Sequence, residues 1–347
     1  MKKSNKIKFA VIGLGHIGKR HAAIIRENPG AELVAVCDIR PPGECNFTDS
    51  TIPFFRSLEE VLNAGLSLDV ANICTPNGLH AEMTLSALRE GIHVVIEKPM
   101  TLKKPDAEKI IHQSLEANKH VFCVMQNRYS PPSAWLKQIL SKQLLGKIFM
   151  VQVNCYWNRD ERYYKKGGWH GTAKFDGGTL FTQFSHFIDI MYWLFGDIKN
   201  IKGIFSDFNH PGLTDFEDSG SVNFEFIEGG VGCLNYSTSV YDKNLESSLT
   251  IIGEKGTVKV AGQYMNEVAY CNIKDYEMEE LPPVNPPNDY GLYKGSAQNH
   301  NFVIQNVIDK LTSDTPITTN AMEGMKVVEI IERIYEVRDK NWKKQKQ

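Results

Sequence analysis

Between residues 7 and 125, short apolar runs alternate with stretches whose apolar positions recur at helical spacing. The run Ile92-His93-Val94-Val95-Ile96 is typical: β-branched, unbroken and too short for a helix, as a strand buried on both faces reads. The pattern predicts strands over 7–12, 32–37, 69–74, 92–96 and 120–125, with helices near 17–28, 57–64, 77–90 and 104–118. Such alternation is the signature of a doubly wound parallel sheet. From about residue 147 the style changes. Segments such as Ser247-Ser248-Leu249-Thr250-Ile251-Ile252 and Gly256-Thr257-Val258-Lys259-Val260 predict a mostly antiparallel sheet. One long helix is expected over 178–195. A last helix is expected over 321–338, with Met322, Met325, Val328, Ile331 and Ile334 at helical spacing. Pro282, Pro283, Pro286 and Pro287 mark a loop. The expected fold class is α/β, with a parallel doubly wound domain over 1–126 and a second α/β domain over 127–347.

The length of 347 residues agrees with two domains. A hydrophobic share of 42% and a charged share of 23% are those of a globular protein. A net charge of -2 leaves no footprint for nucleic acid or an anionic membrane. The basic tail Lys340 to Gln347 reads as a solvated end. Seven cysteines without a C-x-x-C pair suit reduced thiols in a cytoplasmic protein. No thiolate–histidine zinc spacing appears, so no metal is expected. Met1-Lys2-Lys3 before Phe9-Ala10-Val11-Ile12 imitates a signal peptide, but glycines interrupt the apolar run at 13, 15 and 18. It reads as a first strand, and no run is long enough for a transmembrane span.

Gly13-Leu14-Gly15-His16-Ile17-Gly18 follows that strand and opens a helix, the context the dinucleotide fingerprint requires. Gly13 permits the tight turn, Gly15 lets the backbone approach a pyrophosphate, and Gly18 lets the helix sit close to the sheet. The helix N-terminus then offers free N–H groups and a favourable dipole to the phosphates. Asp38 lies twenty residues beyond Gly18. A carboxylate there accepts from a ribose 2′-OH and repels a 2′-phosphate, which favours NAD over NADP. Arg40 is the counterweight, and it reads as a solvated loop residue. After the third strand, Asn77 stands where it can cap the next helix, and Thr75 and Pro76 stand where backbone flanks the nicotinamide ribose.

Glu97-Lys98-Pro99 ends the fourth strand, so Lys98 is delivered to the ligand crevice of such a sheet. Lys98-Pro99 is also one of the few bonds able to be cis at tolerable cost. Further on, Thr182, His186 and Asp189 are spaced i, i+4 and i+7, which puts a hydroxyl, an imidazole and a carboxylate on one helical face. A buried histidine satisfied by Asp189 is the plain alternative. Hydride removal from an alcohol needs a base for the hydroxyl proton, and His186 and a desolvated Lys98 can both be tuned for it.

Taken together, Gly13-x-Gly15-x-x-Gly18, Cys74-Thr75-Pro76-Asn77-x-x-His80, Glu97-Lys98-Pro99 and Gly177-Gly178…His186-x-x-Asp189 resemble the Gfo/Idh/MocA oxidoreductase family. The resemblance implies a Rossmann domain, then an α/β domain whose open sheet often forms an oligomer contact, here a homodimer or homotetramer. It implies an NAD-dependent dehydrogenase with Lys98, His186 and Asp189 as its catalytic set, Asp189 orienting the imidazole. The cofactor contacts it implies are Gly13, Gly15, His16, Ile17, Gly18, Asp38, Ile39, Thr75, Asn77, His80, Glu97, Lys98 and Gln126. The family commonly has Asp where this chain has Thr182.

Gln126-Asn127-Arg128-Tyr129, Trp157-Asn158-Arg159-Asp160-Glu161-Arg162-Tyr163-Tyr164, Trp169-His170-Gly171-Thr172 and Thr182-Gln183 are similar to the sugar-nucleotide branch of that family, the WlbA/WbpB-like UDP-N-acetylglucosaminuronate 3-dehydrogenases. That narrower resemblance implies a nucleotide-sugar substrate held by Lys98, Arg128, Tyr129, Arg159, Arg162, Tyr163, Trp169, Thr182, Gln183 and His186. A loop with Arg159, Arg162, Lys165, Lys166 and several aromatics suits a diphosphate and a stacked sugar or uracil. An exposed loop or a subunit contact is the alternative, and oxidation of a free polyol such as inositol is the alternative substrate reading. A non-catalytic NAD-bound sensor is the reading from outside the enzyme class.

Overall fold

The computed structural model describes residues 6–345 except Leu292, with side chains described through residue 340. The Met1-Lys2-Lys3 leader and the side chains of the basic tail after Lys340 lie outside the described residues. The chain divides into two compact units.

The first unit is drawn from Met1–Met125 and His300–Val328. Strands β1 (Ile7–Ile12), β2 (Ala31–Cys37), β3 (Phe54–Phe55), β4 (Val70–Ile73), β5 (His93–Ile96) and β6 (Val121–Cys123) form its sheet. Their order is β3-β2-β1-β4-β5-β6, and every pairing is parallel. Phe9 to Ile12 and Val94 to Ile96 are essentially fully buried, as strands covered on both faces must be. Helices α1 (His16–Glu27), α2 (Leu58–Asn63), α3 (His80–Arg89) and α4 (Lys104–Glu116) supply the crossovers. Each falls within a few residues of its expected place. Asn77 opens a short 3-10 turn instead of capping α3, whose N-cap is Leu79 with no side-chain bond.

The register fixes where the motifs emerge. Ile12 stands opposite Cys37 and Ile73, and Ile73 stands opposite Ile96. Gly13, Asp38, Cys74 and Glu97 therefore leave the sheet at one edge, on either side of the point where the strand order reverses. Gly13 N donates to Cys37 O at 2.7 Å, and Glu97 N to Ile73 O at 3.0 Å.

The second unit is drawn from Gln126–Asn299 and Glu329–Gln347. After α5 (Pro131–Ser141) come β7 (Ile148–Tyr156), α6 (Ser185–Phe195), β8 (Ile198–Ser206), β9 (Ser219–Phe226), β10 (Val231–Ser237), β11 (Glu246–Gly253), β12 (Gly256–Ala261) and β13 (Glu267–Ile273). A seven-stranded sheet has the order β13-β12-β11-β7-β10-β9-β8, and only its β10–β7 pair is parallel. A small hairpin joins β14 (Pro287–Asp289) to β15 (Lys294–Ala297). Alternation sends Val222, Phe224 and Phe226 inward with Leu234 and Tyr236. On the other face, Val231 and Ile252 flank Met150, and all three are exposed.

Two helices went unread in the sequence, α5 and α7 (His300–Ser313). The span 127–347 is also not continuous. Residues 300–328 return to the first unit, where Asn28 Nδ2 of the α1 C-cap donates to Gln305 Oε1 at 2.9 Å. The last helix, α8 (Ala321–Gln345), starts in that unit and continues in the second. Its residues Met325, Val328, Ile331 and Ile334 are buried, whereas Met322 is 53% exposed. The expected helix over 178–195 is two pieces, a π-helical turn over Leu180–Phe184 and then α6. Gly196 ends α6 at φ 77°, with its N–H on Tyr192 O. Among the described residues no helix is long and apolar enough to cross a membrane.

Candidate active site

The edge of the first unit is built around three glycines. Gly13 has φ +94°, and a Cβ there would meet Cys74 O at 2.7 Å. A Cβ on Gly18 would lie 1.7 Å from Gly13 O, so only glycine closes this turn. Gly15 differs: nothing lies within 4 Å of where its Cβ would be. The backbone is open there, ahead of the α1 N-terminus, with His16 exposed and Ile17 half-buried beside it. This is a cradle that a dinucleotide pyrophosphate fits.

Asp38 sits at the same edge and is 7% exposed, while its neighbour Ile39 is 80% exposed. Asp38 Oδ2 accepts from Leu14 N at 2.8 Å. Arg40 is exposed, as expected, with 46% of its side chain accessible, but it is engaged with Asp38. Its Nε and Nη2 grip the Asp38 carboxylate at 2.9 and 2.8 Å, and its backbone N adds a third bond at 2.9 Å. Burial would raise the Asp38 carboxyl, but the bonds from Arg40 and Leu14 outweigh it and hold the pKa at about 2. Asp38 is thus ionised, with Arg40 already on both of its oxygens.

Lys98 is half-buried at the end of β5, and the Lys98–Pro99 bond is cis. Two fully buried histidines organise this end. The His80 ring spans Pro99 O and Thr75 O, each at 2.8 Å, and so ties the turns after β4 and β5 together. Its placement makes it a positioning residue. Thr75 stays half-buried, while Asn77 is 5% exposed. His21 Nε2 lies 3.0 Å from Glu97 Oε1, and its Nδ1 lies 2.8 Å from Asn72 Nδ2. His300 stands 3.6 Å from the same Glu97 oxygen. Burial would raise the Glu97 carboxyl, but His21 and His300 hold it well below the usual range. The residue next to Lys98 is therefore a fixed buried charge.

In the second unit, a 3-10 turn over Gln126–Tyr129 reaches α6. Gln126 Nε2 lies 3.2 Å from His186 Nε2. Arg128 takes both Asp189 oxygens, Nε to Oδ2 at 2.9 Å and Nη2 to Oδ1 at 2.6 Å. The side chains of that pair are 1% and 0% exposed, and Arg128 also stacks on Trp193 at 5.2 Å. The carboxylate expected to orient the imidazole is thus engaged by Arg128. The arginine expected at a substrate is itself a buried brace.

The π-helical turn carries Thr182 and Gln183. Thr182 Oγ1 donates to Asp176 Oδ1 and, at 3.0 Å, to Asp176 O. Asp176 Oδ2 accepts from Gly171 N at 2.7 Å, and the residue is 1% exposed. This buried acid was not singled out in the sequence, although it immediately precedes the glycine pair. Arg159 is 2% exposed, and its guanidinium lies about 5 Å from the rings of Trp157, Tyr163 and Tyr293. Its Nε donates to Gln183 Oε1 at 2.7 Å. An arginine only donates, so the Gln183 amide nitrogen must point the other way; that nitrogen has no hydrogen-bond partner. Arg162 is pinned by Asp160 at 2.9 Å and by Asn158 Oδ1 at 2.8 Å. Lys165 and Lys166 are exposed, Tyr163 is buried, Tyr129 and Trp169 are half-buried, and Trp169 stacks on His170 at 3.9 Å. The four cations expected to act together are therefore two braced arginines and two open lysines.

Residues 7–125 match an oxidoreductase family described as an NAD-binding Rossmann fold, and residues 134–259 match the GFO/IDH/MocA C-terminal domain. The chain belongs to the Gfo/Idh/MocA oxidoreductases. It is an NAD-dependent enzyme of that family. Among solved structures, the WlbA dehydrogenase of Bordetella pertussis in complex with NADH and UDP-GlcNAcA is 30% identical, with TM-score 0.85 and 96% of each chain covered. The WlbA dehydrogenase of Chromobacterium violaceum, with the same two ligands, is 31% identical with TM-score 0.87, covering 97% of this chain and 95% of its own. Among curated relatives, the inositol 2-dehydrogenase of Salmonella typhimurium is 24% identical over 317 residues, 81% of this Gfo/Idh/MocA chain and 88% of its own.

Proposed function

We propose that the protein oxidises the C3 hydroxyl of a UDP-linked 2-acetamido sugar acid with NAD. We place the reaction in the cytoplasm, in the supply of precursors for a cell-surface polysaccharide such as lipopolysaccharide. One observation carries the reading: likeness to two WlbA dehydrogenases, each holding NADH and UDP-GlcNAcA, extends over nearly the whole of both chains.

Bound NAD supplies the hydride acceptor. In this reading Lys98 hydrogen-bonds the reacting hydroxyl and stabilises the alkoxide, while His186 takes the proton. Gln126 lies 3.2 Å from His186 Nε2 and holds the ring in place. Asp189 acts through Arg128, holding the Gln126–Tyr129 turn against α6. Asp176, bonded by Thr182, brings in a carboxylate that the Thr182 position itself lacks. Gln183 Nε2 offers a buried donor for a substrate oxygen. Lys165, Lys166 and the aromatic face of Trp169 are assigned to the diphosphate and the stacked ring. The exposed row of Val231, Met150 and Ile252 supports association as a homodimer or homotetramer.

The test is the absorbance of reduced nicotinamide with NAD and a panel of substrates. UDP-N-acetylglucosaminuronate is expected to react best. UDP-N-acetylglucosamine should fall well behind, and free sugars and inositol further still. Equal rates on free inositol would move the assignment to the polyol reading, which the inositol 2-dehydrogenase likeness favours. No reduction with any substrate, with NAD still bound, would point to a sensor.

A further inference from the structure

The connection from β8 to β9 carries chemistry for which hydride transfer has no use. Asp207 and His210 lie in it, and Asp218 closes it at the entry to β9. Donor atoms of the three lie within 4.8 Å of one another. His210 is 1% exposed and Asp218 is 0% exposed. Neither ring nitrogen of His210 has a hydrogen-bond partner, and neither does Asp218 Oδ1. A buried imidazole with two idle nitrogens is costly unless something else uses them.

The carboxylates around that ring are held in place by backbone. Asp218 Oδ2 accepts from Phe208 N at 2.8 Å and Asn209 N at 2.7 Å. Asp207 Oδ1 accepts from His210 N at 3.1 Å. The closest approach of ring and acid is 3.6 Å, from His210 Nδ1 to Asp218 Oδ2. That is too long for a shared proton. It is close to the roughly 3.4 Å separating two donors on one tetrahedral ion with bonds of about 2.1 Å. The other buried histidine–acid cluster is partly satisfied: His21 Nε2 meets Glu97 at 3.0 Å and its second nitrogen meets Asn72, whereas both ring nitrogens of His300 lack a hydrogen-bond partner. In the His210 cluster the one imidazole present makes no ring hydrogen bond at all.

We propose that Asp207, His210 and Asp218 bind one divalent transition-metal ion, zinc foremost, as a structural clasp of the second unit. One imidazole and two carboxylates, with water in the fourth place, suit zinc or cobalt better than magnesium or calcium. The ion would stiffen a segment that the proposed substrate loop leans on. The His210 ring packs edge-on against Tyr164 at 5.3 Å. Further along the same connection, Asp215 Oδ2 accepts from Ala173 N and Asp215 N donates to Gly171 O, both at 2.8 Å.

Chelator-treated full-length protein titrated with zinc chloride, and in parallel with cobalt chloride, tests the site. Wild type is expected to take up one zinc per chain at micromolar or lower concentration and to gain thermal stability with it. The cobalt form should show d–d bands without thiolate charge transfer, because no cysteine is in the set. Asp207→Asn and His210→Gln should each weaken uptake at least about tenfold, while His112→Gln, an exposed histidine, should not. Lack of uptake by wild type overturns the proposal without recourse to any variant. So does a thiolate band, or uptake that Asp207→Asn and His210→Gln leave unchanged. If a variant fails to fold, the wild-type stoichiometry and cobalt spectrum decide alone.

Discussion

The two units place their candidate functional residues by different means. In the first, backbone does the placing. The parallel register lines up Ile12, Cys37, Ile73 and Ile96, so the next residue of each strand emerges at the same edge. The glycine turn is closed by main-chain contact. In the second, side chains reach across long stretches of sequence. Gln126 meets His186 and Arg128 meets Asp189, partners 60 and 61 positions apart in the chain. A site placed by backbone tolerates side-chain changes that leave the turn intact. A site placed by buried side-chain pairs loses its geometry with the pair.

That contrast can be broken most sharply at Lys98, the first-unit side chain to which the proposed mechanism gives a role. Lys98→Met should keep the fold and NAD binding yet lose about 10²–10⁴-fold in turnover, because it removes a positioned proton-handling group. Steady-state rates beside an NAD titration check it, and near-normal kcat would remove Lys98 from the mechanism.

Asp189→Ala should act on stability as well as on rate. It takes the Asp189 carboxylate away from a buried guanidinium, which costs about 3–5 kcal/mol, measured by urea unfolding. Replacing both residues with apolar side chains of similar volume should recover much of that stability without recovering activity. If Asp189→Ala melts like wild type, the pair is not the brace described above.

Gly18→Ala sharpens the other side of the comparison. The new Cβ would lie 1.7 Å from Gly13 O, and overpacking of this kind costs about 1–3 kcal/mol or more. NAD affinity should fall with stability, since the same turn makes the cradle. An unchanged NAD dissociation constant would mean that the pyrophosphate is held elsewhere.

The smallest effect concerns Asp38. Its folded pKa of about 2 lies below the ordinary value of 3.8. Its contribution to stability is therefore complete above pH 4 and is lost as pH falls through about 2. Wild type should lose more in thermal midpoint between pH 4 and pH 2 than Asp38→Asn does. At neutral pH, Asp38→Ala should weaken NAD and narrow its advantage over NADP. A wild type that prefers NADP would make Arg40 the dominant residue.

What could be read without coordinates divides along the same line. Strand and helix patterns, the glycine fingerprint, Asp38 and the Lys98 turn depend on local periodicity and on the fixed geometry of a parallel sheet, so residues 7–125 were legible nearly to their boundaries. The π-helical turn was not, because a π turn and an α turn share one apolar pattern. Spacing alone therefore put Thr182, His186 and Asp189 on one face and missed Asp176. The partners of Arg40 and Arg159 escaped the sequence for a related reason. Sequence shows a charge but not whether Asp38, or a cage of Trp157, Tyr163 and Tyr293, already holds it. By itself the sequence determined the two-unit α/β plan, the dinucleotide edge and the residue types available for hydride chemistry. Tertiary structure alone decided that α7 returns to the first unit, that Asp189 belongs to Arg128, and that His210 lies buried between two acids. These are contacts between distant segments, and they are set by which surfaces pack rather than by any local preference of the chain.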